Sequence, residues 1–139
     1  MEVIVVPIDF TEDTDKIIQQ ATLLAKAFSS TLYLVHAVTP NEDISGKEVK
    51  NTEKVYPKEL QQLNRLARLL REQDIETHAL LVEGVTVDAI LKEAESVDAD
   101  LIILGSHGHN RLISALLGRV ESGIVKKAKC SVLLVPGEG

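Results

Sequence analysis

An open α/β fold built on a parallel five-stranded sheet is what this sequence predicts, and three observations predict it. Short aliphatic runs alternate with stretches of helical periodicity, β-α four times over and then a last strand. Such alternation implies right-handed crossovers and helices on both faces of the sheet. Hydrophobic residues make up 45% of the chain but aromatic residues only 3%, so the core is aliphatic, as suits strands covered on both sides. Finally, Gly105-Ser106-His107-Gly108 lies between an apolar run and a helical stretch. That strand–turn–helix arrangement lets α/β proteins hold phosphates, because glycines bring N–H groups close to an anion and the helix start adds partial positive charge.

The elements follow in order. Val3 to Ile8 is a buried strand, and Asp9 to Asp13 is a turn in which Thr11 or Asp13 is placed to cap a helix. Ile17, Ile18, Ala21, Leu24, Ala25 and Phe28 recur at helical spacing until Ser29-Ser30 interrupts them. A second strand runs from Thr31 to Val38. The polar stretch from Thr39 to about Lys54 holds Pro40 and Gly46 and reads as a long, mobile connection. Leu60, Leu63, Leu66, Ala67 and Leu70 mark a second helix, and Ile75 to Val82 a third strand. Glu83-Gly84 turns the chain into a helix carrying Val87, Ile90, Leu91 and Ala94. Asp100 to Leu104 is the fourth strand. Leu116, Leu117, Val120, Ile124 and Val125 mark the fourth helix, Ser131 to Val135 the fifth strand, and Pro136-Gly137 its end. Gly123 falls inside the fourth helix, where it costs about 1 kcal/mol against Ala, and the sequence offers no reason for it.

A length of 139 residues suits one domain over 1–139. The net charge of −6 excludes a general attraction to nucleic acid, and Lys126, Lys127 and Lys129 cluster near a helix end, where cations suit the dipole. Cys130 is the single cysteine, so no intrachain disulfide forms. With an opening apolar run that stops at Pro7, this fits a reducing, cytoplasmic setting. No apolar run approaches a membrane span. His107 and His109 invite a metal, but no third ligand is evident, and no metal is expected. No Gly-Lys-Ser/Thr phosphate loop and no positioned general base is present, so catalysis is not expected beyond slow ATP hydrolysis.

Taken together, several stretches resemble the universal stress protein family over essentially the whole chain. They are Val6-Pro7-Ile8-Asp9, Val35-His36-Ala37-Val38, Glu83-Gly84, Asp100 through Gly108, Leu116-Leu117-Gly118, and Ala128 through Pro136. The resemblance implies a Rossmann-like sheet in the order 3-2-1-4-5, with the ligand crevice where chain direction switches between strands one and four. The family's ATP-binding branch carries Gly-x-x-Gly, nine residues, then Gly followed by Ser or Thr. Gly105, Gly108 and Gly118 match that spacing, whereas Arg119 stands where the hydroxyl is expected and Glu121 where a small residue is usual. By resemblance Asp9 would bond the ribose or base, Pro7, Ile8, Val38 and Leu104 would line the base pocket, and Gly105, Gly108, Gly118, Arg119 and Val120 would surround the phosphates.

The implied function is a non-catalytic module binding ATP, ADP or AMP in a stress response, with Mg²⁺ accompanying ATP. One alternative is a dimeric stress-related interaction protein that takes no nucleotide; another is an enzyme on the layout of the adenine-nucleotide alpha hydrolases. Asp9 can equally serve only its turn, Gly105 and Gly108 a tight strand-to-helix connection, Gly118 close packing, and His36 the rim of the core. The fifth strand would lie at the sheet edge, and bare edges invite pairing, so a homodimer through Ser131–Val135 is expected.

Overall fold

The structure, a computed structural model, describes residues 1–38, 56–106 and 120–137. The polar connection read from Thr39 to Lys54, together with His107, Gly108, His109, Gly118 and Arg119, lies outside the described residues.

Among the described residues five strands and four helices alternate: β1 (Val3–Pro7), α1 (Thr14–Phe28), β2 (Thr31–Val38), α2 (Pro57–Arg71), β3 (Thr77–Glu83), α3 (Thr86–Ser96), β4 (Leu101–Gly105), α4 (described over 120–127) and β5 (Ser131–Val135). The strands form one parallel sheet in the order β3-β2-β1-β4-β5, as the resemblance implies. β1 is central, which is why its run is apolar without alternation: Ile4, Val5 and Val6 are all fully buried.

Successive side chains of a strand point to opposite faces, and the core divides accordingly. Ile4 and Val6 of β1, Leu32 and Leu34 of β2, and Leu101 and Ile103 of β4 pack with Ile17, Ala21 and Ala25 of α1 and Leu63, Ala67 and Leu70 of α2. On the other face Val5, Val35, Ile102 and Leu104 meet Ile90 and Ala94 of α3 and Ile124 of α4.

Three element ends show physical detail, and the first departs from the sequence expectation. Asp100 is not a strand residue; its Oδ2 accepts the N–H groups of Glu2 and Val3 at 2.8 and 3.0 Å, tying the start of β1 to that of β4. These two N–H donors, aided by the nearby chain N-terminus, hold the Asp100 carboxyl below its usual range. Asp13 occupies the N-cap position of α1 yet makes no side-chain cap bond. Instead its carboxylate is buried beneath Gly137, whose hypothetical Cβ would stand 2.9 Å from Oδ2. The α3 connection needs a glycine conformation, with Gly84 at φ 132° and its N–H donating to the Val38 carbonyl at 3.1 Å.

Gly123 also acquires a reason. A Cβ there would meet both methyls of Val87 at 3.0 and 3.2 Å, so the glycine lets α4 lie against the first turn of α3.

Candidate functional site

The carboxyl ends of β1 and β4 diverge toward different neighbours, and a cavity of about 220 Å³ opens between them. Its floor is apolar: Pro7 and Ile8 from the end of β1, Val35 from β2, Ile90 from α3 and Leu104 from β4. Asp9, His36, Thr86 and Glu121 supply its polar groups, and Ile17, Ala37, Gly105 and Val120 complete the wall.

Of the residues the sequence singles out, Pro7, Ile8, Asp9, Leu104, Gly105 and Val120 are therefore brought together. Val38 is buried at the end of β2, paired with Glu83, and does not line the cavity. Gly108, Gly118 and Arg119 lie outside the described residues.

Asp9 and His36 are held by local structure. Asp9 follows β1 and turns the chain, its Oδ1 accepting from the Thr11 N–H at 3.1 Å and the Thr11 hydroxyl at 2.8 Å. That closed Asx turn carries Phe10 into the left-handed region at φ 58°. The Phe10 ring sits 4.8 Å from the His36 ring, tilted by 58°. His36 Nδ1 lies 2.6 Å from the Ile8 carbonyl oxygen. A carbonyl only accepts, so Nδ1 carries a proton and donates to Ile8. Glu121, one residue past Val120 on α4, is only 9% exposed. Gly105 is the last residue of β4, paired with Val135, and φ is positive at Gly84 alone among the described glycines. Its role is close approach: a Cβ would stand 3.0 Å from Ile17 Cδ1.

Three backbone donors near the crevice are engaged within the protein. The Ile8 N–H donates to Val35 O at 2.8 Å, Ser106 N–H to Val135 O at 2.9 Å and Thr14 N–H to Thr11 O at 3.1 Å.

His36, Ala37, Thr86 and Ile17 are not among the residues the sequence singles out for the site. The signal for His36 and Ala37 is position: they stand at the carboxyl end of β2, beside β1. Thr86 opens α3, and Ile17 is one turn into α1, placements that only tertiary packing reveals.

A larger cavity, about 420 Å³, lies at the opposite end of the sheet between α3 and the start of β5, among Leu91, Ala94, Ile102 and Cys130. The exposed Glu95–Lys129 pair, 2.7 Å apart, stands at its rim. Burial, and then the Asp100 carboxylate, push the Cys130 thiol up, so it is protonated near neutral pH. Among the described residues no cluster of His, Cys, Asp and Glu is arranged to hold a metal, and no helix is long and apolar enough to cross a membrane.

A parallel sheet in this order with a crevice at its switch point defines an open, doubly wound α/β domain. Residues 1–136 match the model of the universal stress protein family, and the chain belongs to that family. It is 28% identical over 136 residues to a universal stress protein of Methanocaldococcus jannaschii, covering 95% of this chain and 80% of the relative. Among solved structures it is similar to the hypothetical protein MJ0577 of the same organism, with TM-score 0.82 and 23% identity over 99% of this chain and 97% of that one. A universal stress protein in complex with cAMP aligns with TM-score 0.74 and 21% identity over 96% of each chain. The universal stress protein from Archaeoglobus fulgidus in complex with dAMP aligns with TM-score 0.71 and 21% identity, over 96% of this chain and 97% of that one.

Proposed function

We propose that this protein is a non-catalytic adenine-nucleotide-binding module acting in a stress response, with the crevice between β1 and β4 as its site. The observation that carries the reading is the cavity itself: an apolar slot at the switch point, bordered by a carboxylate in a closed turn. Pro7, Ile8 and Leu104 suit a base, and Asp9 suits ribose hydroxyls, which donate to it. Family membership and the cAMP and dAMP held by two structural neighbours support adenine as the base. Gly108, Gly118 and Arg119 are the residues proposed to face phosphate, with Mg²⁺ accompanying ATP. Nucleotide state would then bias a homodimer formed across Ser131–Val135.

A second reading, an interaction protein that takes no nucleotide, is favoured by one observation: the buried Glu121 carboxylate borders the slot. Calorimetric titration of nucleotide-stripped protein with AMP and ATP, with and without Mg²⁺, separates the two. Micromolar binding that weakens at least tenfold in Asp9→Ala is expected. Absence of heat and of thermal stabilisation with every adenine nucleotide would leave the second reading standing.

A further inference from the structure

The cavity at the opposite end of the sheet is separate from both the crevice and the proposed dimer edge. None of its described lining residues borders the crevice, and none lies in Ser131–Val135. Its volume of about 420 Å³ falls within the ~300–1,000 Å³ common for small-molecule sites. Leu91 and Ala94 of α3, Ala99 from the turn that follows, Ile102 of β4 and Cys130 form an apolar floor. Cys130 belongs with them because burial, and then the Asp100 carboxylate, keep its thiol protonated and neutral.

Four charged residues surround that floor, Glu95, Asp98, Lys127 and Lys129, and they do not cancel evenly. Lys129 Nζ lies 2.7 Å from Glu95 Oε1. Lys127 ends α4, where a cation offsets that helix's own negative end. α3 ends at Ser96 with no basic residue in its last turn, and Asp98 stands in the turn just beyond it. Among the described residues the Asp98 carboxylate has no hydrogen-bond or ion-pair partner. The negative end of α3 and the Asp98 carboxylate are therefore the charges left for a ligand, and a cation suits both.

We propose that this cavity binds an amphipathic monocation, with an apolar body the size of an aromatic ring on the floor and an ammonium group held by Asp98 at the end of α3. The floor supplies the burial and Asp98 the choice of charge, so a neutral or anionic compound of the same shape binds less well. This site is independent of the adenine-nucleotide reading, and neither stands or falls with the other.

The test uses phenethylammonium as the probe, with phenethyl alcohol and hydrocinnamate as neutral and anionic counterparts of similar shape. Cys130 is the single cysteine, so its alkylation by iodoacetamide, followed by intact mass, reports occupancy of the floor. The ratio of rates with and without probe cancels any change in intrinsic thiol reactivity. Wild type, Asp98→Asn and Lys127→Gln are compared as full chains, with circular dichroism to verify folding. Asp98 is left-handed at φ 53°, a conformation Asn also tolerates, so Asp98→Asn removes the charge and keeps the turn. The cation is expected to slow wild-type alkylation saturably, with a Kd of about 1 mM or below. The alcohol and the hydrocinnamate are expected to bind at least about threefold more weakly. Asp98→Asn is expected to weaken the cation at least about threefold and leave the alcohol unchanged, while Lys127→Gln does not weaken the cation. The inference is overturned if the cation gives no saturable protection, or if folded Asp98→Asn binds it as wild type does. Protection by hydrocinnamate equal to that by the cation, and lost in Lys127→Gln, overturns it in favour of an anion.

Discussion

Replacing Gly123 by alanine sets two effects of known sign against each other. Helix propensity favours Ala over Gly by about 1 kcal/mol. Against this, the new methyl would stand 3.0 and 3.2 Å from the two Cγ atoms of Val87 and 3.6 Å from its Cβ. Val87 is β-branched and helical, so its χ1 is nearly fixed and rotation cannot withdraw both methyls. Overpacking of this kind costs about 1–3 kcal/mol, so Gly123→Ala is expected to be net destabilising by about 0–2 kcal/mol. Val87→Ala removes both obstructing methyls at a cost of about 1–2 kcal/mol. In that background Gly123→Ala is expected to become stabilising, by up to about 1 kcal/mol. Urea unfolding followed by circular dichroism measures all four proteins; the chain has no Trp to serve as a fluorescence probe. Additivity of the two substitutions within about 0.5 kcal/mol would falsify the claim that Gly123 exists to admit α3.

Two further predictions concern the ends of the sheet. Asp100 has its carboxyl pKa lowered by the Val3 and Glu2 N–H groups. A lowered folded-state pKa contributes stability that is complete above the unfolded value, about 3.9, and that fades as pH falls through the folded value. The Tm gap between wild type and Asp100→Asn is therefore expected to be constant near neutrality and to close below about pH 4. A gap that persists unchanged into acid would show that the carboxylate charge is irrelevant there. At the other edge Leu134 on β5 is 44% exposed, and a lysine on an edge strand opposes pairing. Leu134→Lys is expected to convert the proposed homodimer into monomer by light scattering, and a wild type already monomeric at micromolar concentration would refute the edge as interface.

The strands were readable because burial on both faces leaves little choice of residue. Ile4, Val5 and Val6 of β1 and Leu101 to Leu104 of β4 are apolar without interruption. The crevice was partly readable for a related reason: part of its floor comes from the carboxyl ends of those same strands. What the sequence hides is contact between distant segments. Asp13 looks like a helix cap, but the approach of Gly137 buries its carboxylate instead. Gly105 looks like a turn glycine, whereas it is a strand residue that admits Ile17. Gly123 has no local justification at all, since Val87 is reached only through the fold. His36 reads as a rim residue, and its bond to Ile8, formed across β1 and β2, holds it against the crevice as well.

For Asp9 the turn role and the proposed ligand role are compatible. Oδ1 closes the turn through Thr11, yet a carboxylate offers about four acceptor sites in all. The turn itself is costly: Phe10 at φ 58° occupies a conformation about 1–2 kcal/mol above the right-handed one. The Asx bonds and the contact of its ring with His36 hold it there, while His36 is in turn fixed by Ile8. Residues 8, 9, 10 and 36 thus form a closed circuit in which each group restrains the next. A carboxylate held in such a circuit has lost its freedom before any ligand arrives, so a ribose that donates to it pays little further ordering entropy. The strain at Phe10 and the placement of Asp9 are therefore two consequences of one arrangement, and stability spent on the turn is what aims the carboxylate at the crevice.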